Sequence, residues 1–167
     1  MNRTRCTTLQ AYVAAGKSQM ILHPLSDEII LAGQPQPDDW VRLAESNFDL
    51  VINMRSDPER AAVQAQNAQA AGLDYLHLPL PAYELEPEHI EQFYNLLREH
   101  DGRKLFIHCR TASRVGLIWL LMRIAHYGWT QAEAEAELTD AGYNTDDLET
   151  FDFCASDYLE RAGELVA

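Results

Sequence analysis

Two rhythms of apolar and polar positions run along the chain. Short apolar runs alternate with longer stretches in which apolar residues return every three or four positions, so strands and helices are expected to succeed one another. Glu28 to Gly33 (EIILAG) reads as a strand, and Pro37-Asp38-Asp39 opens a helix that continues to about Ser46, its acids placed in the first turn. Asp49 to Arg55 (DLVINMR) has the composition of a buried strand. Asp57-Pro58-Glu59 then starts an Ala- and Gln-rich helix that Gly72 is placed to end. Leu73 to Leu78 give a third strand, followed by a loop from Pro79 to Pro81. Glu86-Pro87-Glu88 opens a helix to about His100, and Lys104 to Cys109 (KLFIHC) forms a short fourth strand, apolar through its middle. Beyond it the pattern is helical near Arg114–Tyr127, Thr130–Ala141 and Asp146–Glu164, with breaks at Gly128 and Gly142. The Trp119, Leu120, Leu121 and Ile124 stripe marks a core-facing side.

This alternation predicts an α/β domain: a mainly parallel sheet of four or five strands with helices on both faces, three layers in all. With 167 residues, 47% of them hydrophobic, the chain can build one core but hardly two. A single domain over residues 21–167 is expected, preceded by an extension, residues 1–20, with the makings of a helix. No apolar run approaches the roughly 18 residues of a membrane span, and no continuous apolar stretch follows the basic residues of the start. A soluble, cytoplasmic protein is the expectation. Cys6, Cys109 and Cys154 lie far apart with no CxxC or Cys/His ligand spacing, which predicts neither a disulfide framework nor a metal site. No cofactor is called for.

Charge sharpens the picture. A net charge of −13 argues against nucleic acid or an anionic membrane as partner. The charge is unevenly spread, however. Thr130 to Ala167 hold eleven acids against one base, a pattern expected of a solvated helix face, whereas Gly102 to Trp129 hold five bases and no acid. Within that acid-free window lies the segment Cys109-Arg110-Thr111-Ala112-Ser113-Arg114, at the expected junction of a strand's carboxyl end with a helix's amino end. Such a junction turns backbone N–H groups and the positive end of the helix dipole toward one small space, a setting for an anion. Surroundings of this kind favour the thiolate, the nucleophilic form of cysteine. Arg114 adds a planar guanidinium able to grip two oxygens of a phosphoryl group. A cysteine ending an apolar strand could also be no more than a small buried hydrophobe, but the neighbouring His108, Arg110 and Arg114 point to a reactive one.

The His108-Cys109, short loop, Arg114 arrangement resembles the signature of the protein tyrosine and dual-specificity phosphatase superfamily. Upstream, Ala32-Gly33-Gln34-Pro35 and Val51-Ile52-Asn53-Met54-Arg55 are similar to segments of its bacterial phosphatase-like branch, the domain also found joined to beta-lactamase-like hydrolases. The resemblance implies metal-independent hydrolysis of a phosphomonoester, carried by a phosphorylated protein or a small molecule, through a cysteinyl-phosphate. It implies Cys109 as nucleophile, Arg114 as oxyanion partner, and Arg110, Thr111, Ala112, Ser113 and Arg114 as the phosphate cradle. His108 is expected to orient the loop, and Arg55, at the end of its strand, to assist. Four residues separate Cys109 from Arg114 where most of the superfamily has five. Ala112 stands where a glycine is usual, and Val115 where a Ser or Thr usually helps the thiolate leave, so Thr111 or Ser113 is the candidate substitute.

The superfamily takes its general acid from an Asp on an upstream loop. The corresponding loop here, Pro81 to Glu86, has none. Glu84 is the first candidate and Glu86 the second, and Asp57, which follows another strand, could also face the site in a supporting role, although Glu86 and Asp57 both suit helix starts. Two other readings stay open: a rhodanese-like sulfurtransferase, whose persulfide-carrying loop has this shorter length, and a phosphate-binding pseudo-phosphatase without effective acid catalysis.

Overall fold

The structure is a computed structural model and describes residues 7–166. Five strands, β1 (Leu22–Pro24), β2 (Ile29–Ala32), β3 (Leu50–Asn53), β4 (Asp74–His77) and β5 (Leu105–His108), form one sheet in the order β1-β2-β5-β3-β4. All neighbours are parallel except β1 and β2. β5 sits at the centre because it is apolar on both faces: Leu105, Phe106, Ile107 and His108 are all buried. Around the sheet lie α1 (Thr7–Ala14), α2 (Asp39–Glu45), α3 (Pro58–Ala70), α4 (Pro87–Glu99), α5 (Ser113–Tyr127), α6 (Gln131–Asp140) and α7 (Thr145–Val166).

Strand side chains alternate between two cores, as the period of two requires. Leu31, Ile52, Leu105 and Ile107 join the core built with α4, α5, α6 and α7, whereas Ile30, Val51 and Phe106 join the one built with Leu9 of α1, Trp40 and Leu43 of α2 and Ala68 of α3. The expected helices on both faces are therefore present. α5 is the helix buried nearly all round, with Val115 to Met122 buried without a break. Its low amphipathicity follows from its place: it packs against the sheet and is flanked by α4, α6 and α7.

The expected strands and helices are present, with ends shifted by a residue or two. β1 is an addition. Only three residues long, proline-containing and antiparallel at the sheet edge, it carries too little alternation to stand out in the sequence. The helix α1 falls within the amino-terminal extension; the extension's first six residues, Cys6 among them, lie outside the described residues.

The register places the site. Ala32 and Asn53 both stand level with His108, and His77 stands level with Asn53. The carboxyl ends of four strands thus finish together, and the segments that follow them, Gly33-Gln34-Pro35, Met54-Arg55, the loop after His77 and Cys109 onward, leave from one edge. In open parallel sheets this edge is where ligands bind.

Candidate active site

Between β5 and α5 the chain makes a tight turn at Cys109-Arg110-Thr111-Ala112. Cys109 is 2% exposed, and its N–H donates to the Ala32 carbonyl at 3.2 Å. The segment after β2 holds the turn from the side: Gly33 bridges to Thr111, and the Gln34 N–H donates to the Arg110 carbonyl at 3.0 Å. A side chain at Gly33 would put its Cβ 3.1 Å from the Arg110 carbonyl oxygen, so this close backbone approach favours glycine. Ala112 has φ 69°, in the left-handed region. That is the physical reason a glycine is usual here, since a residue with a Cβ is disfavoured by roughly 1–2 kcal/mol in this conformation. The Tyr143 hydroxyl donates to the Ala112 carbonyl at 2.7 Å and secures the turn from below α5.

Helix α5 starts from this turn with no side-chain cap and no acid in its first turn. The positive end of a 15-residue helix therefore faces the Cys109 loop with no acid of its own first turn to answer it. Thr111 and Ser113 are exposed, with Thr111 Oγ1 donating to Ser113 Oγ at 3.3 Å, whereas Val115 is fully buried.

Arg114 is anchored on one side only. Its Nη1 donates to the carbonyls of Met54 at 2.7 Å and Leu80 at 3.1 Å and to Ser56 Oγ at 3.3 Å, tying the loop to the segments after β3 and β4. Its Nε is buried without a partner among the described residues. A buried donor left unsatisfied costs on the order of 1–3 kcal/mol, which an anion beside it would relieve. Arg55 is set by its own motif: Asn53 Oδ1 accepts from the Arg55 N–H at 2.8 Å, and Arg55 Nη1 donates to Gln34 Oε1 at 2.9 Å. Burial holds the Arg55 guanidinium below its ordinary pKa. Arg60, Arg110 and Arg114 push the same way, against the opposing pull of Cys109. Arg55 thus feels three other guanidinium groups around the loop.

His108 is fully buried. Its Nδ1 lies 3.4 Å from the Cys109 carbonyl, and its Nε2 has no partner among the described residues. Burial pushes its pKa down to about 4; the contact with the Cys109 carbonyl opposes this, while Arg55 and His77 reinforce it. His108 is accordingly neutral near pH 7. Burial, with Cys109 and Asp147 adding to it, raises the pKa of Tyr143 and keeps its hydroxyl a donor.

The three carboxylates picked from the sequence lie in different settings. Glu84 is exposed, with φ 55°, and lines a cavity of about 250 Å³ with Phe153, Tyr158 and Arg161. The Glu86 N–H donates to His89 Nδ1 at 2.9 Å, and its carboxylate lies 3.6 Å from Arg161 Nη1, which is the structural role that suits a helix start. Asp57 caps α3, accepting from the N–H groups of Glu59 at 2.9 Å and Arg60 at 3.2 Å. Fold and register bring His108, Cys109, the residues to Arg114, and Arg55 together. Tyr143 and Ser56 join them by hydrogen bonds to Ala112 and Arg114, and nothing in the sequence around either marks that contact, because the partners are 31 and 58 residues away. Among the described residues no group of three or more His, Cys, Asp or Glu side chains is arranged to hold a metal ion, and no helix is long and apolar enough to cross a membrane.

Residues 22–125 match the family described as "Beta-lactamase hydrolase-like protein, phosphatase-like domain". Beta-lactamase hydrolase-like proteins from two strains of Xylella fastidiosa are each 25% identical over 117 residues, which cover 67% of this chain and 27% of those proteins. The match therefore spans about a quarter of those curated relatives. Among solved structures, a candidate phosphatase from Neisseria meningitidis is 25% identical with a TM-score of 0.66, covering 80% of this chain and 97% of that one. TpbA of P. aeruginosa, solved in complex with phosphotyrosine, is 18% identical with a TM-score of 0.64 over 80% of this chain and 82% of its own. Tk-PTP is 17% identical with a TM-score of 0.63, covering 86% and 96%. The fold is that of the protein-tyrosine-phosphatase-like enzymes.

Proposed function

The chain belongs to the phosphatase-like domain family of the beta-lactamase hydrolase-like proteins, and from that premise we propose that it hydrolyses phosphomonoesters, without a metal, through a cysteinyl-phosphate on Cys109. The observation that carries this reading is the half-anchored Arg114, whose buried Nε is unpartnered beside the uncapped start of α5. Phosphate in the loop would accept from the backbone N–H groups between Arg110 and Arg114 and from the free side of that guanidinium.

The Cys109 thiolate attacks phosphorus, the bond from phosphorus to the ester oxygen breaks, and that oxygen takes a proton from Glu84 as the alcohol leaves. Water then attacks the cysteinyl-phosphate, its proton returns to Glu84, and inorganic phosphate departs with the thiolate restored. Arg114 stabilises the charge spread over the equatorial oxygens in both steps. Neutral His108 takes no proton; it positions the Cys109 backbone. Thr111 or Ser113 donates to the leaving thiolate in place of the absent hydroxyl after Arg114.

A specific feature favours a second reading, sulfur transfer: the turn has only four residues between Cys109 and Arg114, closed by left-handed Ala112. A tighter cradle fits a persulfide sulfur, taken from a sulfane donor and passed to a thiophilic acceptor. One experiment separates the two. Wild type, Cys109→Ser and Glu84→Gln are assayed in EDTA on 4-nitrophenyl phosphate and an alkyl phosphate, alongside thiosulfate-to-cyanide transfer. We expect phosphatase activity in the wild type and a loss of at least about a thousandfold in Cys109→Ser. Glu84→Gln should lose much more activity on the alkyl ester, whose leaving oxygen needs a proton, than on the aryl ester. Sulfur transfer without ester hydrolysis would replace this reading with the second. Phosphate binding without either activity would leave an anion-binding pseudo-enzyme.

A further inference from the structure

Next to the Cys109 loop is a cavity of about 350 Å³ that shares Arg110 and Thr111 with the phosphate cradle and includes no residue of the Glu84 loop. Arg55, Arg60 and Arg110 contribute to its wall, with the amides of Gln34 and Gln36, and no acid among the described residues lines it. In a chain of 26 acids and 13 bases, three arginines around one acid-free cavity call for an explanation. Packing does not supply one. Arg110 is exposed, and its side chain has no hydrogen bond or ion pair among the described residues. Arg60 stands in the first turn of α3, where the helix dipole disfavours a cation, and its one ion pair among the described residues, to Asp57 at 3.4 Å, is solvent-exposed. Arg55 is held toward the cavity by Gln34.

Cys109, Ser113 and Arg114 do not line this cavity, whereas Arg110 and Thr111 do. It therefore adjoins the cradle through two loop residues without including the nucleophile. A phosphoryl group under attack would occupy the cradle, and the remainder of the substrate could extend into the cavity. We propose that this cavity is a second anion subsite, and that the preferred substrates are phosphomonoesters bearing a second phosphate near the one removed. Arg55, Arg60 and Arg110 would bind the second phosphate, which several guanidinium groups can grip in paired hydrogen bonds. The volume is that of a small-ligand site, large enough for a phosphate and its linking atoms. Repulsion from Arg60 and Arg110, which adds to burial in holding Arg55 below its ordinary pKa, would be relieved by such a group. This inference rests on the phosphatase reading and adds a substrate class to it.

The test compares fructose 1,6-bisphosphate with fructose 1-phosphate and fructose 6-phosphate, and short-chain phosphatidylinositol 4,5-bisphosphate with its monophosphates, in the wild type and in Arg60→Gln. 4-Nitrophenyl phosphate serves as the reference. We expect kcat/KM for at least one bisphosphate to exceed that of its monophosphates by about tenfold or more, the sugar and lipid arms telling which carrier supplies the second phosphate. Arg60→Gln should reduce that preference mainly through KM, while its effect on 4-nitrophenyl phosphate is several times smaller. Hydrolysis of 4-nitrophenyl phosphate without any bisphosphate preference, or an equal loss on all substrates in Arg60→Gln, would overturn the subsite and leave the phosphatase reading standing. A preference only for a doubly phosphorylated peptide, included as a further arm, would overturn it as stated in favour of a protein substrate. Absence of hydrolysis on every substrate would overturn both readings together.

Discussion

His108 illustrates what burial does to one residue. It sits between Trp40 and Phe106, with ring centroids 6.5 Å and 6.0 Å away, and its pKa is about 4 in the fold against 6.5 in the unfolded chain. Between those values the unfolded chain binds a proton that the folded one refuses. Stability from this group is therefore fully present above pH 6.5 and lost as pH falls toward 4; the full shift corresponds to about 3 kcal/mol. Urea unfolding of the wild type and of His108→Gln between pH 7.5 and 4.5 should show a shallower loss in the variant. Equal slopes would mean that His108 is not protected from protonation. At the same scale the proposed chemistry depends on geometry as well as charge. Arg114→Lys keeps the cation but loses the fork that bonds Met54 and Leu80 on one side and leaves Nε for the other, so most phosphatase activity should go with it.

Among elements, the junction of β5, α5 and the start of α7 carries the loop. Gly116 lies one turn into α5. A Cβ there would be 2.8 Å from Phe151 Cζ and from Tyr143 Cζ and Oη, contacts that the packed rings cannot accept unmoved. Tyr143 in turn is pinned, stacked on His23 at 3.7 Å and bonded to the Ala112 carbonyl. Gly116→Ala should therefore destabilise the fold by roughly 1–3 kcal/mol. It should also lower activity beyond what stability explains, because displacing Tyr143 releases left-handed Ala112. Thermal unfolding with kinetics well below the transition tests this, and unchanged kinetics would show that the loop holds its shape without Tyr143. The sequence displays Gly116 as an ordinary helix glycine; only the packing of α7 against α5 explains it.

For the whole molecule, an overall charge of −13 and a cluster of cations at one edge should respond oppositely to salt. Between about 10 mM and 150 mM NaCl the screening length falls from roughly 30 Å to 8 Å. Self-repulsion of the acidic surface weakens, so the melting temperature should rise. The attraction of the arginine cluster for anions also weakens, so competitive inhibition by inorganic phosphate should become poorer. A melting temperature and an inhibition constant moving the other way would show that the surface charge is locally compensated. Much of this protein could be read without coordinates, because periodicity, strand composition and helix starts are local properties: the α/β alternation, the buried β5, the Asp57 and Glu86 helix starts and the Cys109 to Arg114 segment all follow from neighbours in sequence. Edge strand β1 was too short to carry a pattern. What only the tertiary structure decided is which distant residues meet the loop. The level register of β2, β3 and β5 brings Gln34 and Ser56 to its side, beside the Arg55 that its strand end had already suggested, and the packing of α5 against α6 and α7 brings Tyr143 beneath it. Strand order and helix packing are long-range choices made by burying apolar surface across the whole chain, and no local spacing records them.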